Sequence, residues 1–189
     1  MPRYGFLLFW LMMCATLSGC ALPGAYIPEL LTSSTEEPYT LAAGDRLRVI
    51  VFGQDAISNS YTVDGSGHIS MPLIGIVPAA GLTTQALQHE IAARLRNGFV
   101  RDPRVSVEVE AYRPFFVLGE VMSAGQYPFV EGLTVQKAIA IAGGFSPRGY
   151  QGEVDLTRDY GGGVPVTGRV PLLQAVRPGD TITVRERIF

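Results

Sequence analysis

Two stretches near opposite ends of this chain, LAAGDRLRVIVFG and VRPGDTITVRERIF, repeat one pattern. Gly44-Asp45 precedes Leu47, Val49 and Val51, and Gly179-Asp180 precedes Ile182 and Val184. Glycine followed by a carboxylate supplies a turn, and alternate apolar residues supply a strand with one buried face. The same turn-then-strand device is thus expected twice. Its 189 residues, 47% hydrophobic and 17% charged, suffice for one domain or two small ones and exclude a disordered chain.

Before the first of these strands the sequence has a different character. PRYGFLLFWLMMCATLSGC carries one cation ahead of an apolar run too short for a comfortable membrane span of about 20 residues. A charged start, an apolar run and small residues at its end read as a secretory signal over residues 1–19. Leu17-Ser18-Gly19-Cys20 resembles the lipobox of bacterial lipoproteins, which implies acyl chains on Cys20 and a tether to a membrane without a span. Cys14 leaves with the signal and Cys20 carries lipid, so no thiol is expected for a disulfide, a metal or a nucleophile. Ala21 and Leu22 follow Cys20 where inner-membrane lipoproteins often carry Asp, which favours the outer membrane, facing the periplasm. The stretch over 20–38, with three prolines and a Ser/Thr cluster, reads as the lipidated linker. The formal charge of −2 becomes one unit more acidic once Arg3 is lost, which gives nucleic acid no basic surface to bind.

Along the mature chain, residues 47–52 (LRVIVF) predict a strand with Arg48, Ile50 and Phe52 on a second, partly buried face. Asp64-Gly65 between two β-rich runs predicts a hairpin, and Pro72 and Pro78 confine the strands after it to edges. Leu87, Ile91 and Leu95 recur every fourth residue and predict a helix, capped by Thr84 and ended by Asn97-Gly98. RVSVEVEAY predicts a half-exposed strand with Val105, Val107 and Val109 inward. A second unit begins at RPFFVLGEVMSAGQYPF, a hairpin turning around Ser123 to Gly125. In its second half Thr134 caps a short helix that Gly143-Gly144 stops, and three further strand-like runs follow, with a loose Gly161 to Gly163 turn between them. The fold class expected is α+β.

The order of these segments resembles the Wza-type outer-membrane polysaccharide export family. The resemblance is carried by LAAGDRLRVIV, GSGHISMPLIGIVPAAGLTTQAL, RDPRVSVEVEAYRPFFVLGEV, GLTVQKAIAIAGGF and RPGDTITVRERIF, which together cover residues 39 to 189. It implies a polysaccharide export domain over 39–112 and one soluble-ligand-binding β-grasp (SLBB) domain over 113–189. It further implies a non-enzymatic lipoprotein that forms or joins a homo-oligomeric ring, meets an inner-membrane copolymerase and guides capsule or exopolysaccharide outward. Full-length relatives add a second β-grasp domain and a pore-forming amphipathic helix, neither of which follows Phe189, so the expectation is that an outer-membrane β-barrel supplies the crossing. Ala43 stands where the family's first turn usually has Pro, and Arg185 where Pro often precedes Glu-Arg, which predicts a more regular last strand.

No catalytic, cofactor or metal site is expected. Asp64, Ser66 and His68 are the residue types of a hydrolytic triad, but one tight turn cannot set them in series as nucleophile, base and orienter. His89 reads as a solvated helix residue. Arg94, Arg96, Arg101 and Arg104 form the densest basic cluster and are candidates to meet acidic polymer or a neighbour's Glu108 and Glu110, or simply to keep a face soluble. Tyr112, Arg113, Phe115 and Phe116 open the second domain. Adjacent aromatics on a strand point to opposite faces, so one of Phe115 and Phe116 is expected in the core and the other at a domain or subunit contact. The competing function is a monomeric SLBB lipoprotein that recognises a glycan or small molecule. A polysaccharide hydrolase ranks last, because two carboxylates facing one cleft are not indicated.

Overall fold

The computed structural model describes residues 38–160 and 164–188. The signal, Cys20, the linker up to residue 37, Gly161 to Gly163 and Phe189 lie outside the described residues. The described chain is α+β, with two hydrophobic cores that share no residue.

In the first domain β1 (Arg46–Val51) lies between β2 (Asn59–Thr62) and β5 (Val105–Ala111), antiparallel to both. Leu47, Val49 and Val51 are buried, whereas Arg46 and Arg48 face solvent. The second face of this strand is not a buried one as expected: only Ile50 is partly covered, and Phe52 lies beyond the strand at 63% exposure. β3 (His68–Met71) and β4 (Gly75–Pro78) make a separate two-stranded ladder, and α1 (Thr84–Arg96) lays Leu87, Ile91 and Leu95 onto the shared core. Both strands of that ladder are edges, as the prolines require.

Two local expectations are corrected. The Asp64-Gly65 turn does not close a ladder, because Val63 is already committed to the Gly44-Asp45 turn: Val63 N donates to Asp45 O and its carbonyl accepts from Gly44 N. That exchange fixes β2 beside β1, and the hairpin forms one step later between β3 and β4, with Leu73 at φ 72 in its turn. The helix cap is Thr83 rather than Thr84, since the Thr83 hydroxyl accepts from Ala86 N at 3.1 Å from an extended backbone.

The second domain is a five-stranded sheet ordered β7-β6-β10-β8-β9, from β6 (Phe115–Gly119), β7 (Gly125–Tyr127), β8 (Glu153–Arg158), β9 (Val166–Pro171) and β10 (Thr181–Val184). β10 runs parallel to β6 and antiparallel to β8. Its inner face packs Phe115, Val117, Leu156 and Ile182 against Val135, Ala138 and Ile139 of α2 (Val135–Ile141), a sheet clasping one helix in β-grasp fashion. Thr134 caps α2 through Lys137 N, and Gly143 and Gly144 leave it at φ 83 and 91. The last strand stops at Val184, so Arg185 does not prolong it; Glu186 is joined to Gly149 only by an isolated bridge.

Thr83→Ala is expected to lower unfolding free energy by about 1 kcal/mol through the lost cap, while Thr84→Ala has a much smaller effect. Urea denaturation midpoints of the two variants decide between them.

Candidate functional site: the cleft between the domains

The repeated Gly-Asp pairs form the same device twice. Asp45 N donates to Ala42 O and Asp180 N to Arg177 O, each closing a four-residue turn. Gly44 and Gly179 at the third position have φ 92 and 86, the left-handed geometry of a type II turn that side chains resist. Each carboxylate then folds back on its own turn: Ala42 N donates to Asp45 Oδ2 at 2.8 Å and Arg177 N to Asp180 Oδ2 at 2.7 Å. The backbone groups beside the carboxylates bind the neighbouring strand, Val63 in the first domain and Pro114 and Phe116 in the second.

Both aspartates are fully buried, at 0% and 1% exposure, and a buried carboxylate persists only with its lone pairs occupied. Asp180 accepts a fork from Arg158, Nε at 2.9 Å and Nη2 at 2.8 Å. Asp45 accepts from the Tyr39 hydroxyl at 2.6 Å and from Arg113 N at 2.9 Å, with Arg113 Nη1 at 3.6 Å. Arg113 is therefore the residue on which the two turns converge. Its backbone is bound by the first domain's carboxylate, while a Cβ on Gly179 would stand only 2.6 Å from its Nε. Its guanidinium donates to the Tyr39 hydroxyl at 3.0 Å and lies 5.9 Å from that ring's centre.

Around this joint opens a cleft of about 1100 Å³ with walls from both domains, including Tyr39, Ala80, Tyr112, Phe129, Glu131, Arg158 and Gly179. Tyr39, Tyr112 and Phe129 follow one another edge to face, with centroids 5.0 and 5.4 Å apart. The Tyr112 hydroxyl donates to Glu131 Oε1 at 2.6 Å. Burial, then the bond to Asp45, push the Tyr39 phenol far above its usual range. Partial burial, then Glu131, push the Tyr112 phenol up to about 12. Burial works against the charge on Arg158, but Asp180 outweighs it and holds the guanidinium above its usual range. Arg158 Nη1 is buried without a hydrogen-bond partner.

Of the residues singled out in the sequence, Tyr112 and Arg113 line this cleft. Phe115 is fully buried in the second core beside Tyr127, whereas Phe116 is 37% exposed on the opposite face of the sheet, with Leu118. The basic cluster does not act as one group. Arg94 is tied to Glu90 Oε1 and to the carbonyl of Ile76, both at 2.6 Å, and joins α1 to the hairpin; Arg96, Arg101 and Arg104 are exposed. Glu110 is paired with Arg46 at 3.1 Å within the chain. Ser66 Oγ sits between Asp64 Oδ1 (2.6 Å) and His68 Nδ1 (3.0 Å), so the hydroxyl, not the imidazole, occupies the middle. That hydroxyl, with the His68 and Ser66 amides, holds the Asp64 carboxyl below its usual range. His89 is exposed, and among the described residues no group of three His, Cys, Asp or Glu could hold a metal.

Sequence reasoning missed Tyr39, Phe129, Glu131 and Arg158. Arg158 had a signal: it occupies the third inward position of β8 after Val154 and Leu156, and an arginine on a buried face demands a carboxylate partner. The others come together only through the fold.

Asp180→Ala leaves Arg158 buried and uncompensated, and is expected to cost about 3–5 kcal/mol in chemical denaturation. In an alkaline titration, tyrosinate absorbance should rise in two stages. Because Tyr39 and Tyr112 ionise later in the folded protein than their ordinary pKa of 10, their stabilisation is complete below pH 10 and lost above it, as pH climbs toward about 12 for Tyr112 and higher for Tyr39. The second stage should coincide with unfolding, and Tyr39→Phe should shrink it.

Residues 33–110 match the model of the family described as polysaccharide biosynthesis/export protein, and residues 114–170 match that of the SLBB domain. The exopolysaccharide production protein ExoF of Rhizobium meliloti is 36% identical over 160 residues, covering 78% of this chain and 38% of that protein. The EPS I polysaccharide export outer membrane protein EpsA of Ralstonia nicotianae is 29% identical over 199 residues, covering 86% of this chain and 51% of that one. EpsA of Ralstonia solanacearum is 27% identical over 197 residues, with 85% and 51% covered. The chain thus spans about half the length of these relatives or less. With both family matches falling on the two domains that meet at Arg113, this chain belongs to the polysaccharide biosynthesis/export family and carries an export domain followed by an SLBB domain.

Proposed function

We propose that this protein serves polysaccharide export without chemistry of its own. Anchored by lipid on Cys20 and facing the periplasm from the outer membrane, it forms or joins a ring that guides capsule or exopolysaccharide to and across that membrane. An inner-membrane copolymerase delivers the polymer, and an outer-membrane β-barrel is the partner expected at the crossing. The observation that carries this reading is the coupling of an export domain to an SLBB domain through one buried joint at Asp45 and Arg113. A subunit built in this way can transmit a fixed angle between neighbours.

A head-to-tail ring requires two different surfaces on each subunit. Exposed apolar side chains stand on both domains: Leu73 (53%) and Ile76 (66%) at the hairpin of the first, and Phe116 and Leu118 on the outer sheet face of the second. Among the described residues no helix is long and apolar enough to cross a membrane. The arrangement of Asp64, Ser66 and His68 offers no proton relay in which a histidine could activate the serine against an orienting acid.

Sedimentation of the full lipoprotein extracted in detergent should give a multimer that Ile76→Asp or Leu118→Asp reduces to a monomer. A monomeric wild type would count against the ring. Deletion of the gene should trap polymer in the periplasm, and normal surface polymer in the deletion strain would reject the export role.

A further inference from the structure

We propose that the cleft between the two domains is a binding site for a segment of neutral saccharide, seated against Tyr112 and Phe129 and hydrogen-bonded by Glu131. The choice of a sugar polymer rests on the export reading; the site and the charge of its ligand rest on the cleft itself.

The size of the cleft speaks first. At about 1100 Å³ it exceeds the pockets of about 300–1,000 Å³ that enclose single drug-sized molecules, so several sugar units fit along it. Its wall presents aromatic rings in sequence, Tyr112 and then Phe129, and a ring face is the surface on which the C–H face of a pyranose packs. Polar groups at the wall suit hydroxyls. Glu131 Oε1 is engaged by the Tyr112 hydroxyl, which fixes the carboxylate in place and leaves Oε2 to accept from a ligand. Arg158, 2% exposed, is engaged by Asp180 through Nε and Nη2 and by the carbonyl of Ala175, so it holds the wall in shape rather than meeting a ligand.

Charge decides between neutral and acidic saccharides. The cations at the wall are Arg113, Arg158 and Arg177; Asp45 and Asp180 pair with the first two from behind the wall, and Glu131 and Asp159 stand on it. Three guanidiniums against four carboxylates leave no excess positive charge to bind a uronate. A ligand carrying its own carboxylates would be repelled by Glu131 and Asp159, whereas hydroxyls can donate to Glu131.

Isothermal titration of the full lipoprotein in detergent with cellohexaose, laminarihexaose and hexagalacturonate tests the assignment. At least one neutral hexasaccharide should bind, hexagalacturonate should bind about tenfold more weakly or not at all, and Phe129→Ala should weaken the neutral probe by about tenfold. Glu131→Gln, which keeps the side-chain shape, should weaken it several-fold, and Phe52→Ala, beyond the end of β1 and not among the cleft's walls, should leave it unchanged. Denaturation midpoints of the variants separate lost binding from lost folding. Absence of binding by both neutral probes, or binding indifferent to Phe129→Ala and Glu131→Gln, would overturn the site, and tighter binding of hexagalacturonate would overturn its neutral character. The export reading fails on a different result, normal surface polymer in the deletion strain, so either idea can fall while the other stands.

Discussion

Everything in this molecule that depends on two domains keeping their places depends on two buried carboxylates. Asp45 and Asp180 each lie at the end of a glycine turn, at the head of a strand, and out of contact with water. A charge in that position is tolerable only when the groups around it are fixed, so each aspartate orders its surroundings as well as its own loop. Asp180 orders the wall of the second domain through Arg158. Asp45 reaches across the boundary to Arg113, the first residue past the first domain's sheet and its adjoining tyrosine. The strand of one domain and the linker to the other are thus held by the same carboxylate, and domain orientation becomes a matter of hydrogen-bond geometry rather than of apolar contact alone.

Much of this was legible in the sequence because the signals were local. Alternation in Val105, Val107 and Val109, the fourfold recurrence of Leu87, Ile91 and Leu95, and the glycines after each helix follow from backbone period and turn chemistry. The two Gly-Asp entries were visible too, but their strands' partners were not. The first turn binds an antiparallel neighbour at Val63 and the second a parallel one at Pro114 and Phe116, a difference that resides in tertiary pairing. The Asp64-Gly65 turn misled for the same reason: its hairpin chemistry was sound, but Val63 had a better partner elsewhere. The cleft was the least legible part, because Tyr39, Tyr112, Phe129, Glu131 and Arg158 share no spacing. Tyr112 stood out only as a residue at the domain boundary, and Arg158 carried an unread signal, as a charge on an inward period.

The cleft that results is shaped by the same paired charges. Its charges are compensated and its aromatic faces form a series instead of a single pocket. As the proposed saccharide site, such a surface would offer successive units similar contacts rather than one deep pocket. It also places the contact at the joint between domains, where a ligand touching both walls bears on the angle between them.

The parallel pairing of β6 with β10 has a consequence for how the protein comes into being. The whole second domain lies between these two strands, so its central ladder cannot close until the segment at 181–184 has been delivered. The same late segment carries the Asp180 turn and presses Gly179 against Arg113, so the joint between domains is completed last. A chain that emerges from its amino end therefore passes through a stage in which the export domain is complete while the second domain has its β6–β7 and β8–β9 hairpins and α2 but no strand between the hairpins. For that interval Phe115, already paired through β7, and Ile182, its partner in one core, have not met, and the apolar face that β10 covers stays open.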